Sequence, residues 1–87
     1  MKTEQELKKI QLKLKKEVLN LKRVNRIKLT DTEFDKNVII NNAIEITIPY
    51  DSDGFLIRII KDDAIYPKET IKETIKEIKK ILLNKSK

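Results

Sequence analysis

The sequence predicts a single small α+β domain, 1–87, ordered α-β-β-β-α, with a long N-terminal helix, a three-stranded antiparallel meander and a C-terminal helix. Three observations carry that expectation. Leu7, Ile10, Leu14, Val18 and Leu21 recur at spacings of three and four, which is one apolar helical stripe. Ile44, Ile46 and Ile48 alternate with Glu45 and Thr47, and after Asp51-Ser52-Asp53-Gly54 the alternation resumes at Phe55, Ile57 and Ile59. Ile71, Ile75, Ile78 and Leu82 then form a second helical stripe.

The first helix is expected over about 3–26, opened by Thr3 and Glu6 as a capping box and uninterrupted by Gly or Pro. Leu12 and Leu19 fall on its far side and are the candidates for a self-association patch. The strands lie within about 27–61. Asp-Gly between alternating runs is the strongest short hairpin signal, and Gly54, the chain's only glycine, suits a positive φ there. A two- or a four-residue loop places Ile46 and Ile48 on the face of Ile57 and Ile59. The remaining strand is Val38-Ile39-Ile40, turning at Asn41-Asn42, or Ile27–Thr30, or both joined by a bulge. Pro67 at the first helical position opens the last helix, about 67–83, and Asn84–Lys87 is expected to fray. Glu69–Lys72, Glu73–Lys76 and Glu77–Lys80 stand three apart as helical ion pairs.

A chain of 87 residues has a thin core, and small folds are usually reinforced by disulfides, metals or oligomerisation. Cys and His are both absent, so a homodimer is the natural expectation. Without imidazole or thiolate, and with one glycine, no imidazole base, thiolate nucleophile or phosphate-cradling loop is present, which leaves paired carboxylates or a desolvated lysine as the remaining enzyme routes. Asp51-Ser52-Asp53-Gly54 lacks the later bidentate Glu of a calcium loop. The expectation is therefore a non-catalytic protein with no cofactor and no metal. No apolar run reaches the ~20 residues of a membrane span, and the N-terminus is not a secretory signal. The expected location is the cytoplasm.

Net charge is +6 and unevenly spread. Residues 1–29 carry ten basic and three acidic side chains, residues 30–66 three and eight, and residues 67–87 seven and three. Lysine outnumbers arginine 17 to 3, an excess that AT-rich coding also produces. The basic ends suit a polyanion. Lys8, Lys15, Lys16, Lys22, Arg23 and Arg26, read as one outer face of the first helix, are the candidate phosphate contacts. Scarce arginine argues against base-specific readout, and four aromatics argue against a stacking platform, which leaves the duplex backbone as the target.

The order of elements, with Ile44–Ile48, then Asp53-Gly54-Phe55-Leu56-Ile57-Arg58-Ile59, then an acidic turn at Asp62-Asp63 into the last helix, resembles the YbaB-type nucleoid-associated family. That resemblance implies a dimer binding DNA with little sequence preference. The chain departs from the family in lacking a glycine-rich first hairpin and in its Lys/Glu/Ile-rich last helix. The competing expectation is a protein-interaction module, such as an inhibitor or adaptor from a phage or mobile element, docking on a partner protein.

Overall fold

The computed structural model describes residues 1–84. Its elements are α1 (Glu4–Leu19), β1 (Ile27–Asp31), β2 (Lys36–Ile40), β3 (Ile44–Ile48), β4 (Phe55–Ile59), β5 (Ala64–Lys68) and α2 (Ile71–Asn84). The class is α+β as expected, but the meander has five strands, paired antiparallel in the order β1-β2-β3-β4-β5. Asn84 closes α2, and 85–87 lie outside the described residues.

The central hairpin is as the alternation requires. Ile46 pairs with Ile57 and Ile44 with Ile59, across a loop in which Gly54 has φ +92. Both candidate first strands form, joined by a tight turn and not by a bulge. Thr32 N–H donates to Asp35 O at 2.9 Å, and Asp35 N–H donates to Thr32 Oγ1 at 2.9 Å. Asn41 and Asn42 turn β2 into β3, both at positive φ (54 and 55), a region Asn tolerates better than most residues.

Three boundaries differ from the sequence expectation. The first helix stops at Leu19, and 20–26 form a connector in which Arg23 adopts φ 72. The Asn41 side chain holds this connector: Oδ1 accepts from Asn25 N–H (2.7 Å) and Arg26 N–H (3.0 Å), and Nδ2 donates to Arg23 O (2.8 Å). Asp62-Asp63 turns β4 into a fifth strand, and not into the last helix. Pro67 lies in that strand. Ile60 N–H donates to Ala43 O, so the backbone of Leu56 and Arg58 faces β3 and that of Phe55, Ile57 and Ile59 faces β5. Ala64, Tyr66 and Lys68 therefore take the ladder bonds, and the missing N–H of Pro67 falls on the open edge, where a strand accepts proline without loss. The helix is opened instead by Thr70, whose Oγ1 accepts from Glu73 N–H at 3.1 Å.

Both helices cover one face of the sheet, α1 over β1–β3 and α2 over β4–β5. The core joins Leu7, Leu14 and Val18 of α1 to Val38, Ile40, Ile44, Ile46, Ile48, Phe55 and Ile57 of the sheet and Ile78 and Leu82 of α2. Of the buried polar side chains, Gln11 and Thr74 come from the helices. Gln11 donates from Nε2 to Asn37 O (2.9 Å) and Thr30 O (3.3 Å), and Thr74 Oγ1 donates to Thr70 O (2.8 Å). No helix among the described residues is long and apolar enough to cross a membrane.

Candidate nucleic-acid interface

The antiparallel meander sends alternate loops to opposite ends of the molecule. One end gathers the β1–β2 and β3–β4 loops with the N-termini of both helices, and Lys2 fastens it by donating from Nζ to Pro49 O (2.8 Å) and to Ser52 O. Glu33, Asp35, Asp51, Asp53, Glu69 and Glu73 belong to this end. The other end gathers the connector and the C-terminus of α2, with Lys22, Arg23, Arg26, Lys79 and Lys80, and the β4–β5 turn with Asp62 and Asp63.

On the helix layer four acidic side chains are engaged locally. Glu4 meets Lys36 at 2.6 Å, Glu6 Oε1 accepts from Thr3 N–H at 3.1 Å, Glu73 Oε1 accepts from Thr70 Oγ1 at 3.1 Å, and Glu77 meets Lys68 at 3.2 Å. The expected pairs Glu69–Lys72, Glu73–Lys76 and Glu77–Lys80 do not form among the described residues, because Glu73 serves the helix cap and Glu77 turns toward β5. Lys72, Lys76, Lys79 and Lys80 are left without an ion pair among the described residues, as are Lys8, Lys9, Lys13, Lys15 and Lys16.

Lys13 and Glu17 of α1 and Lys72, Lys76 and Lys79 of α2 line a groove between the helices, floored by Ile71 and Ile75. At Lys79 this groove meets a second hollow, lined by Lys22 and Arg23 of the connector with Leu82 and Leu83. Arg23 Nη1 reaches Leu82 O at 3.5 Å, a long contact that still ties the connector to the end of α2. The result is a continuous run of six cations drawn from three segments.

The six candidate contacts named from the sequence do not form one helical face. Lys22, Arg23 and Arg26 are not in the helix at all, since α1 ends at Leu19. At ~100° per residue, Lys8 and Lys15 lie on the flank of α1 toward β1, and Lys16 lies on its solvent crest. Only Lys22 and Arg23 join the groove system, whose other cations, Lys13, Lys72, Lys76 and Lys79, are not among those six. The available signal was the i, i+4, i+7 spacing of Lys72, Lys76 and Lys79, which puts them on one stripe of α2. Leu12 and Leu19 are exposed, at 49% and 57%.

The opposite, uncovered face of the sheet is electrically balanced. Arg58 donates to Glu45 Oε1 from Nε (3.1 Å) and Nη2 (3.0 Å) and meets Asp63 at 3.2 Å. These bonds, that to Glu45 foremost, raise the Arg58 pKa further. Among buried groups the one cation of note is Lys36, held by Glu4 and Asp31; the hydrogen bond to Glu4 raises its pKa above the ordinary 10.5. It braces the acidic end and is not available to a ligand. No protein-family model, curated protein or solved structure matches the chain.

Proposed function

We propose that this protein is a non-catalytic, sequence-indifferent nucleic-acid binder, acting on duplex DNA as a small basic homodimer. The observation that carries the reading is the run of cations from Lys72, Lys76 and Lys13 through Lys79 to Lys22 and Arg23, beside which Glu17 is the one carboxylate. Lysines that neutralise phosphates release counterions, so binding is steeply salt-dependent and nearly blind to sequence. The ligand class agrees with what the YbaB-type resemblance implies.

The test is binding of random-sequence duplex across a salt series. Six phosphate contacts give a log–log slope of about −5, and Lys13→Ala, Lys76→Ala and Lys79→Ala together should reduce its magnitude by about 3. Lys8→Ala and Lys15→Ala, on the far flank, should leave it nearly unchanged. Absence of binding at about 50 mM salt rejects the reading. In that event protein docking is the second reading, and the unpaired edge of β1 is the feature that favours it.

A further inference from the structure

We infer that the free edge of β1 is the self-association surface, pairing antiparallel with β1 of a second copy about a two-fold axis at Leu29. The two edges of the sheet are not equivalent. On β5, Pro67 removes an outward N–H and blunts the edge. On β1, Asn41 N–H donates to Arg26 O and Thr32 N–H donates to Asp35 O, and the alternation turns the backbone of Lys28 and Thr30 toward β2. The N–H and C=O groups of Ile27, Leu29 and Asp31 therefore point outward, and no hydrogen bond within the described residues reaches them.

The side chains along this edge suit a copy of the same strand. Ile27 and Leu29 are apolar and only half-buried beneath α1. Centring the axis on Leu29 sets Ile27 opposite Asp31 and Lys28 opposite Thr30, so no like charges face one another directly. About six backbone hydrogen bonds would form. Above the strand, Gln11 reaches the β1 and β2 carbonyls on one side of α1, whereas Lys13 and Glu17 face α2 on the other. Helical rotation then places Leu12 and Leu19 on the β1 flank, ~120° from the buried stripe. Both exposed leucines thus border the same edge.

Charge selects the occupant. An antiparallel pair brings the start of one β1 beside the end of the other. Arg26, with the basic connector before it, then stands opposite Thr32 and next to Glu33 of the second copy. The segregation of acids and bases to opposite ends of one chain becomes complementary across the two-fold axis. Arg26 is in this arrangement a dimer contact, which leaves the groove cations to the polyanion. The inference rests on the homodimer half of the proposed function and not on nucleic-acid binding.

The test uses the full chain, which has no cysteine. Leu29→Cys should cross-link to a dimer under mild oxidation, since residues facing each other across the axis have Cα atoms about 5.5 Å apart. Ile65→Cys on the opposite edge should not. Leu29→Pro removes an outward N–H, with no ladder bond to β2 lost, together with a half-buried side chain, and should halve the mass measured by light scattering while the far-ultraviolet spectrum persists. A wild-type chain that stays at 10.3 kDa at every concentration overturns both the homodimer reading and this interface. A wild-type dimer whose Leu29→Cys variant does not cross-link overturns the interface alone, and does so whether or not the proline variant folds.

Discussion

Asn41 is the side chain on which the connector depends, and its substitution separates two energies. Its φ of 54 is a left-handed conformation, and its amide makes three hydrogen bonds to Arg23, Asn25 and Arg26 at 2.7–3.0 Å. Neighbouring Asn42 has nearly the same φ, 55, and its side chain makes no such bonds. Asn42→Ala therefore measures only the left-handed cost, about 1 kcal/mol. Asn41→Ala adds the lost bonds. At about 0.5–1.5 kcal/mol each, and toward the low end at a partly exposed site, they contribute about 2 kcal/mol. The total of about 3 kcal/mol corresponds to a fall of about 12–24 °C in Tm for a domain of this size. Asn41→Gly should recover the backbone share and not the bonds. Paired urea and thermal melts of the three variants give the comparison. Equal losses for Asn41→Ala and Asn42→Ala would refute the clamp. Because the connector carries Lys22 and Arg23, Asn41→Gly should also weaken polyanion binding without removing a single charge.

Gly54→Ala should cost about 2 kcal/mol or more, because a Cβ at φ +92 would also meet Lys68 O at 2.6 Å, and the neighbour is backbone; a neutral result in a urea melt would contradict the tight β4–β5 junction. Ile46→Ala, at a fully buried centre of the sheet, should cost about 2–5 kcal/mol, a large part of the ~4–13 kcal/mol expected of a chain this long, and is read by the same melt. The pH dependence has two arms. Lys36 has a raised pKa, so its contribution is complete below the ordinary value of 10.5 and is lost as pH climbs through the folded value above it; Lys36→Met should flatten that alkaline arm. Glu6 has its pKa lowered from 4.5, chiefly by the Thr3 N–H, so its contribution is complete above 4.5 and is lost as pH falls through the folded value; Glu6→Gln should flatten the acid arm.

The central hairpin was legible because a period-two pattern and the one glycine agreed on the same turn. β5 was not. Ala64-Ile65-Tyr66-Pro67-Lys68 has no alternation, and its proline reads as a helix start unless the orientation of each N–H in the ladder is known. The true start carried its own signal, Thr70-Ile71-Lys72-Glu73, the same Thr-x-x-Glu pattern that Thr3–Glu6 announces in α1. The end of α1 carried only a weak one, Asn20 at its C-cap. Residues 20–26 contain neither Gly nor Pro, and the left-handed Arg23 is fixed by Asn41, 18 residues away in sequence. The groove was not legible for the same reason. A stripe on one helix is a local pattern, whereas the groove is assembled from α1, α2 and the connector, and which lysines remain unpaired depends on where Glu73 and Glu77 turn.

The number of lysines and their placement in the fold are separate questions. Coding bias alters how many lysines a chain has, and it has no means of placing them after folding. Part of the segregation follows from helix electrostatics alone: Glu4 and Glu6 sit in the first turn of α1 and Glu73 in that of α2, where the dipole favours anions. That argument does not extend to Glu33, Asp35, Asp51 and Asp53, which lie in strand connections and gain nothing from a helix. They occupy the two loops that the meander sends to the helix N-termini, while the connector, which it sends the other way, holds Lys22, Arg23 and Arg26 and no acid. On the proposed function, such a distribution would turn the connector and the groove toward a polyanion before contact and keep these acidic loops away from it. On the proposed interface the same field would orient two copies antiparallel about the two-fold axis, acidic end beside basic end. Reversing the loop charges, Asp51→Lys with Asp53→Lys, raises the net charge yet removes that orientation. A polyanion that merely counts charge would bind this variant more tightly through any surface; one guided to the groove would gain little there and would acquire a second, competing site at the far end.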